Sequence, residues 1–438
     1  MPEEKQEPQF AAFLAIDWAD QKHAWSLQSA DSTSRERGEV EHTPEAIDAW
    51  VVQISERFGH RPIAVAVEQT RGSLVFLLSK YEQLHIYPVP PAMTANVRKA
   101  FYGSGAKDDG KDADLLLDLL QRHREKLRRL APDTEATRLV QNLVEERRKL
   151  VDEKTAQNNR LQAQLKIYFP QILQWFEDID SPLVCDLLQR WPTLPELQKA
   201  RAKTVREFFL RHRCWKPELI ESRLKAIAAA KPAVGDRAVV TAKMQAVKVC
   251  VQLIQILREG IQALDRQIQE TAEAHPDFFI FESLPGAGPV MAPRLLAAFG
   301  SQRERFGSAA EVQVWSGIAP VIASSGTSRW VHFRFACSKF LRQTFQEWAG
   351  HSIAHSVWAR AYYQQQCRRG KKHQAAVRAL AFKWIRIVFR CWKDRVAYDE
   401  SLYCVALAKR NSPLAMAPEL GEKTVDNQWI SAEGAVKK

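Results

Sequence analysis

Four acidic residues are spaced as a metal site for phosphoryl chemistry would need. Asp17 closes the apolar run FAAFLAID (10–17), and Glu68 closes IAVAVE (63–68). Asp109 and Asp112 stand three apart beside the start of the helical run DADLLLDLLQRH, which puts both on one helical face. If the two apolar runs are neighbouring strands, their terminal carboxylates converge on one edge of a sheet. Four carboxylates brought together repel one another unless a hard cation lies between them, and Mg²⁺ or Mn²⁺ takes oxygen ligands of this kind. Paired metals activate a nucleophile and steady a leaving oxygen in phosphoryl transfer. Acids also gather at helix starts for a plainer reason, the helix dipole. It is the ordered set, strand-end Asp, strand-end Glu, helical Asp-x-x-Asp, that points to metal. Asp108 and Asp114 lie alongside but off the shared face.

GAKDDGK (105–111) fills the first seven positions of a phosphate-binding loop, but the eighth, where Ser or Thr belongs, is Asp112. No clean buried strand precedes it, and so acidic a run would repel a triphosphate, so a nucleotide-hydrolase reading is set aside. A second group of residues ends the segment WSGIAPVIASSGT (315–327). Ser325 precedes Gly326, and glycine permits the tight turn that exposes a hydroxyl. An ordinary turn serine fits equally well. There is no Gly-x-Ser-x-Gly elbow, so an esterase or protease is not indicated. A third feature is electrostatic. From Gly350 to Lys393 there is no Asp or Glu, while ten Lys and Arg interleave with aromatics. A one-signed field of this size suits a phosphate backbone, with Arg368, Arg369, Lys371, Lys372, Arg378 and Lys383 the candidate contacts. The aromatics suit a core at least as well as base stacking.

The elements that must position these groups follow from periodicity. Apolar runs at 10–17, 24–28, 63–68 and 85–89 read as strands, and 44–57 and 73–83 as helices. Strands alternating with helices give an α/β sheet, whose ligands gather at the carboxyl ends of the strands. From about residue 130 the pattern turns helical, with long helices over 137–167 and 236–274. In the second, Val247, Cys250, Ile254, Leu257, Ile261, Leu264 and Ile268 alternate spacings of three and four, a coiled-coil seam or the buried face of one amphipathic helix. A small helical insertion lies between, over 181–235. Leu284-Pro285-Gly286-Ala287-Gly288-Pro289 then feeds a helix, as a phosphate-holding turn or as a packing joint. The expected domains are 1–128 (α/β), 129–275 (all-α, coiled coil and oligomerisation), 276–395 (mainly helical, carrying the serine) and a disordered tail, 396–438.

Composition bounds the partners. The 438 residues carry a net charge of +12, which calls for a polyanion. No apolar run of some 18 residues stands out as a membrane span, and the acidic, polar N-terminus is unlike a secretory signal. Seven scattered cysteines without CxxC spacing indicate a reduced, cytoplasmic protein rather than a disulfide or zinc framework.

Taken in order, these blocks resemble the DEDD transposases of the insertion-sequence 110 family, the bridge-RNA-guided serine recombinases. FLAIDWADQKHAWSL, AVAVEQTRGSL and AKDDGKDADLL resemble the family's first strand with its Asp, its Glu strand and its Asp-x-x-Asp helix. LPGAGPVMAPRLLAAFG, WSGIAPVIASSGTS and GKKHQAAVRALAFKW resemble the motifs of its transposase domain. The resemblance implies a RuvC-like, RNase H-type fold with metal on Asp17, Glu68, Asp109 and Asp112, and a nucleophile at Ser325, Ser324 lying one place early. It implies a phosphoserine link to DNA, donor and target DNA chosen by a non-coding guide RNA, and a homo-oligomer, dimer or tetramer, on the bacterial nucleoid. Quartet and serine would then meet across protomers. ACSKFLRQTF lacks the Gly-Asn that some relatives carry before Leu-Arg, which suggests a subgroup. Two other functions fit the residues, a hydrolytic RuvC-like endonuclease and a non-catalytic nucleic-acid-binding protein.

Overall fold

The computed structural model describes residues 8–69, 72–101, 109–412 and 414, and of Phe101, Asp109 and Gly110 the backbone alone. The chain divides after Pro132 into two compact units.

The first unit is a mixed α/β sheet. Its elements run β1 (Ala12–Asp17), β2 (Lys22–Ser29), β3 (Arg35–Glu41), α1 (Pro44–Arg57), β4 (Ile63–Val67), α2 (Ser73–Leu78), β5 (Leu84–Pro88), α3 (Pro91–Phe101) and α4 (Asp109–His123). The strand order is β3-β2-β1-β4-β5; β1, β2 and β3 pair antiparallel, whereas β4 lies parallel to both β1 and β5. β4 is uniformly apolar because both of its faces are covered. Ile63, Val65 and Val67 pack with Leu14 and Ile16 under α1 and α2, while Ala64 and Ala66 pack with Ala15 under α4. Thr43 caps α1 by accepting the Ala46 N–H, and Pro44 occupies its first turn.

β3 was not among the expected strands. RERGEVE is nearly all charge, the composition of an exposed edge strand kept from pairing with other chains. Its glycine has a packing reason. Trp25 on β2 lies opposite Gly38, and a Cβ there would stand 2.5 Å from the indole ring. α2 ends at Leu78, short of the helix expected to 83, and α3 was not anticipated.

The second unit is mostly helical. α5 (Glu135–Tyr168) is followed by five short helices, α6 (Gln171–Trp175), α7 (Pro182–Arg190), α8 (Leu194–Lys199), α9 (Ala202–Arg211) and α10 (Pro217–Ala229), and then by the long α11 (Arg237–Glu273). α5 and α11 pack side by side and antiparallel. Thr137 Oγ1 lies 2.8 Å from His275 Nε2, Arg147 pairs with Asp265, and Leu150 faces Gly260. The seam of α11 is therefore filled from within the chain. Val247, Cys250 and Ile254 join the core of the short helices, whereas Ile268 joins the core that follows. Among the described residues α11 alone is long and apolar enough, by composition, to cross a membrane.

The rest of the unit comprises α12 (Phe278–Glu282), α13 (Gly288–Phe299), α14 (Ala309–Trp315), a hairpin of β6 (Val321–Ser325) and β7 (Ser328–His332), α15 (Lys339–His355), α16 (Val357–Arg368), α17 (His373–Asp394) and α18 (Glu400–Lys409). Its core is built on four fully buried tryptophans, Trp348, Trp358, Trp384 and Trp392. Each indole N–H is satisfied, by Pro285 O, Tyr398 Oη, Ser352 Oγ and Gly300 O respectively. The aromatics of the basic stretch thus include three of the core's anchors. α18, counted with the expected tail, is folded. Leu407 is buried in this core and the Tyr398 N–H donates to Ser283 Oγ. A short charged run after a basic helix resembles a tail, and what orders it is the long-range packing of Tyr398 and Leu407. The expected disorder beyond 414 lies outside the described residues. The cysteines are all free thiols.

Candidate active site

The sheet sets the first two acids side by side. Ile16 on β1 pairs with Val67 on the parallel β4, and Asp17 and Glu68 are the next residues of each strand. Both are half-buried. Asp112 is carried by α4, which crosses the face of the sheet over Ala15, Ala64 and Ala66. The residue is 4% exposed. Arg98 on α3 donates to Oδ1 from Nε (2.8 Å) and Nη2 (2.7 Å). Oδ2 is buried and has no hydrogen-bond partner among the described residues. A buried carboxylate oxygen left so is costly, and a cation would satisfy it. Asp109 opens α4 three residues before Asp112; its side chain lies outside the described residues, as does Asp108. Among the described residues no three acids, histidines or cysteines gather closely enough to hold a metal ion.

Other acids of α4 explain how it is held. Asp114 accepts from Ser26 Oγ (2.7 Å) and from Arg37, and Asp118 pairs with Arg35. The two lie one turn apart and brace α4 against β2 and β3.

Close to this edge, a hydrogen-bonded chain links the residues after Asp17 to those after Glu68. The Ala19 N–H donates to His23 Nδ1 (3.2 Å), which places the proton on Nε2. Nε2–H then donates to His42 Nδ1 (2.7 Å), and His42 Nε2 faces Ser73 Oγ at 2.9 Å. Burial, aided by the neighbouring His42, lowers the pKa of His23 to about 4. His23 was not singled out in the sequence, where it reads as one polar residue in a strand.

In the second unit, Ser325 ends β6 and pairs with Ser328, leaving Gly326 and Thr327 as a two-residue turn. Gly326 has φ +55°, and a glycine first in such a turn suits a hairpin. Ser325 is exposed, and its hydroxyl has no hydrogen-bond partner among the described residues. Ser324 is also exposed, and as its strand neighbour points to the opposite face. The Leu284–Pro289 turn has a packing reason. A Cβ on Gly286 (φ +71°) would stand 2.9 Å from the His351 backbone on α15.

Of the basic candidates, Arg368, Arg369, Lys371 and Lys372 are exposed at the joint between α16 and α17. Lys383 is half-buried, its ammonium 4.8 Å from the centre of the Tyr362 ring, and burial lowers its pKa. Arg378 is half-buried as well. Neither of these two is a free surface charge.

Residues 14–170 match the model of DEDD transposases of the IS110 type, and residues 280–364 match that of the IS116/IS110/IS902 transposase family. Together they span more than half of the chain. The chain belongs to the IS110 transposase family. This DNA transposase is 25% identical over 409 residues to a Streptomyces coelicolor protein named for the mini-circle transposase of IS117, a match covering 90% of this chain and 97% of that protein. It is 25% identical over 358 residues to the 43.6 kDa protein of insertion element IS110 from the same organism, covering 80% and 86%. It is 25% identical over 370 residues to the 44.8 kDa protein of IS116 from Streptomyces clavuligerus, covering 83% and 85%. The first family match contains the four candidate acids, and the second contains Ser325. Membership of a DEDD family goes with divalent-metal chemistry in general.

Proposed function

We propose that this transposase cuts and rejoins DNA through a covalent link to Ser325, with Mg²⁺ or Mn²⁺ held by Asp17, Glu68, Asp109 and Asp112. The observation that carries the reading is the register of β1 and β4, which brings Asp17 and Glu68 together at the carboxyl edge of the sheet. The orphaned Oδ2 of Asp112 adds to it. These donors are hard oxygens, which fit such a cation. When bound, the cation would stabilise negative charge developing on a DNA phosphate. The reversal from antiparallel to parallel pairing at β1, with acids at the strand ends, supports the RuvC-like assignment of the unit.

The covalent chemistry is an exchange. Ser325 Oγ attacks a phosphodiester phosphorus, and its proton passes to a base. As the Oγ–P bond forms, the bond to the departing deoxyribose oxygen breaks and that oxygen takes up a proton. The hydroxyl of an incoming strand then attacks the phosphoserine, and Ser325 leaves as the alcohol. One phosphodiester replaces another and no water is consumed.

Acids and serine belong to different units, so the reading has the site completed between protomers of a dimer or tetramer. An exposed apolar row on α11, Val249, Leu253 and Ile256, supports self-association. A non-coding guide RNA would select donor and target DNA by base pairing, which suits a chain of net charge +12 that has no evident base-reading motif.

The second reading is hydrolysis by the acidic unit alone, favoured by the lack of any hydrogen-bonded base on Ser325 among the described residues. End-labelled DNA run on a denaturing gel separates the two. The serine reading expects a retarded protein–DNA adduct from the native chain and from Ser324→Ala, and neither adduct nor strand exchange from Ser325→Ala. Normal exchange by Ser325→Ala would sink it, and metal-dependent cleavage surviving that change without an adduct would establish the hydrolytic reading.

A further inference from the structure

A cavity of about 180 Å³ lies at the foot of the serine hairpin. Gly317–Pro320 line one side, and Val331–Arg334 with Arg378 the other. Gly317 shapes that wall. It has φ +70°, and a Cβ there would stand 2.3 Å from Cys337 Sγ. Two arginines, Arg334 and Arg378, line the cavity, and Arg342 stands behind its Phe333 wall. Arg342 and Arg378 both lie over the Phe333 ring, 4.7 and 4.3 Å from its centre. Arg334 donates from Nε to Ala319 O, and Arg342 donates to Arg334 O.

Among the described residues none of the three forms an ion pair with a carboxylate, and Arg378 Nε is buried without a partner. Elsewhere in this unit Arg147 is paired with Asp265 and Arg294 with Glu347. Like charges crowded onto one ring, short of hydrogen-bond acceptors, lack only an anion. Burial and the Arg342 charge both disfavour the charged form of Arg378, so an anion would relieve a real cost.

We infer that this cavity seats a backbone phosphate of the DNA strand that Ser325 attacks, gripped by Arg334 and Arg378, with the Arg342 charge behind them. Naming that strand rests on the serine reading; the phosphate site itself does not. Two dimensions fit. Ser325 stands four residues beyond Val321 at the hairpin foot, about 13 Å at a strand rise of about 3.3 Å, or roughly four base steps of duplex. Arg378 lies five residues into α17, about 8 Å along the helix from His373, which the exposed Lys371 and Lys372 directly precede. A backbone leaving the serine would thus cross the cavity towards the basic joint. Planar guanidinium groups suit the task, since they meet phosphate with paired N–H donors.

The test is the salt dependence of binding by the full chain to a mixed-sequence DNA duplex. Removing one cation from the phosphate backbone flattens the slope of log K against log salt by about one. Arg334→Gln and Arg378→Gln should each show this, with roughly tenfold weaker binding at low salt, while Arg378→Lys should keep most of the slope. Ser325→Ala should leave the slope untouched, whatever it does to strand exchange, so the two proposals fail separately. Unchanged slopes in both glutamine variants would overturn the inference, as would a change seen on RNA of equal length and not on DNA. If Arg378→Gln lowers the melting temperature, Arg334→Gln decides, because its side chain bonds only a loop carbonyl.

Discussion

The two candidate halves of the site are mounted differently. Asp17 and Glu68 end strands buried on both faces, and Asp112 rides a helix braced by Asp114 and Asp118. Ser325 sits at the tip of two strands whose ten residues are all exposed or half-exposed. An isolated hairpin is marginally stable, and among the described residues this one meets the rest of its unit at its foot, where Val331 and His332 border a cavity with Arg378. Carboxylates that share one cation need fixed positions to a fraction of an ångström, which rigid elements supply. A nucleophile that must reach a phosphate inside DNA needs projection instead. On the proposed reading, the contrast separates a part that sets geometry from a part that delivers an atom.

The largest expected effect tests the rigid half. Asp112→Asn keeps the shape and removes the charge that holds Arg98. Strand exchange should fall by about a hundredfold or more, on the scale of losing one preorganised group at a reacting centre. Mg²⁺ should raise the melting temperature of the native chain and not of the variant. Mixed one to one with Ser325→Ala, the variant should recover exchange at about a quarter of composite sites, since each needs one intact half from each protomer. An equal Mg²⁺ response in the variant would remove Asp112 from the metal site, and no recovery on mixing would place both halves within one protomer.

The same contrast decides what the sequence could disclose. Asp17 and Glu68 were legible because buried strands are apolar and an acid at the end of such a run stands out. The α/β unit and the helical unit were legible for the same reason. β3 was hidden because an edge strand is written in charge. α18 was hidden because the chain leading into it is ordered from afar, Tyr398 bonding Ser283 and Trp358, 115 and 40 residues earlier. The α11 seam was visible, but periodicity cannot name its partner; α5 and the short helices fill it. Ser325 reads as a turn residue in the sequence and ends a strand beside the turn in the structure, and its role rests on family resemblance. The arginine cavity needs Phe333, Arg342 and Arg378 brought together from a loop and two helices, which no local pattern shows.

A middle-sized effect concerns pH and the linkage beside the acids. His23 has a folded pKa near 4 against about 6.5 unfolded, because burial and His42 oppose its charge. Between those values the unfolded chain binds a proton that the folded chain refuses. Stability is therefore full above pH 6.5 and falls as pH drops towards 4, by up to about 3 kcal/mol. Urea midpoints of the first unit's transition at pH 7 and pH 5 measure it. His23→Gln should flatten the dependence. A native transition that is insensitive over this range would mean that the Ala19–His23–His42–Ser73 chain does not hold the two loops together.

The smallest expected effect tests the detached half. Ser325 is exposed and its side chain makes no hydrogen bond among the described residues, so its hydroxyl contributes nothing that water does not replace. Ser325→Ala should change unfolding stability by no more than about 0.5 kcal/mol, even where it abolishes exchange. The hairpin around it should open more readily than the tryptophan core. Trypsin should therefore cut the native chain after Arg329, in exposed β7, before it cuts within α15 or α17. A stability loss above about 1 kcal/mol from the alanine change would show the serine to be packed, beyond the range for exposed positions. Protection of Arg329 equal to that of α17 would show the hairpin covered in solution. Either result would erase the contrast, since the nucleophile would then sit on a mount as rigid as that of the acids.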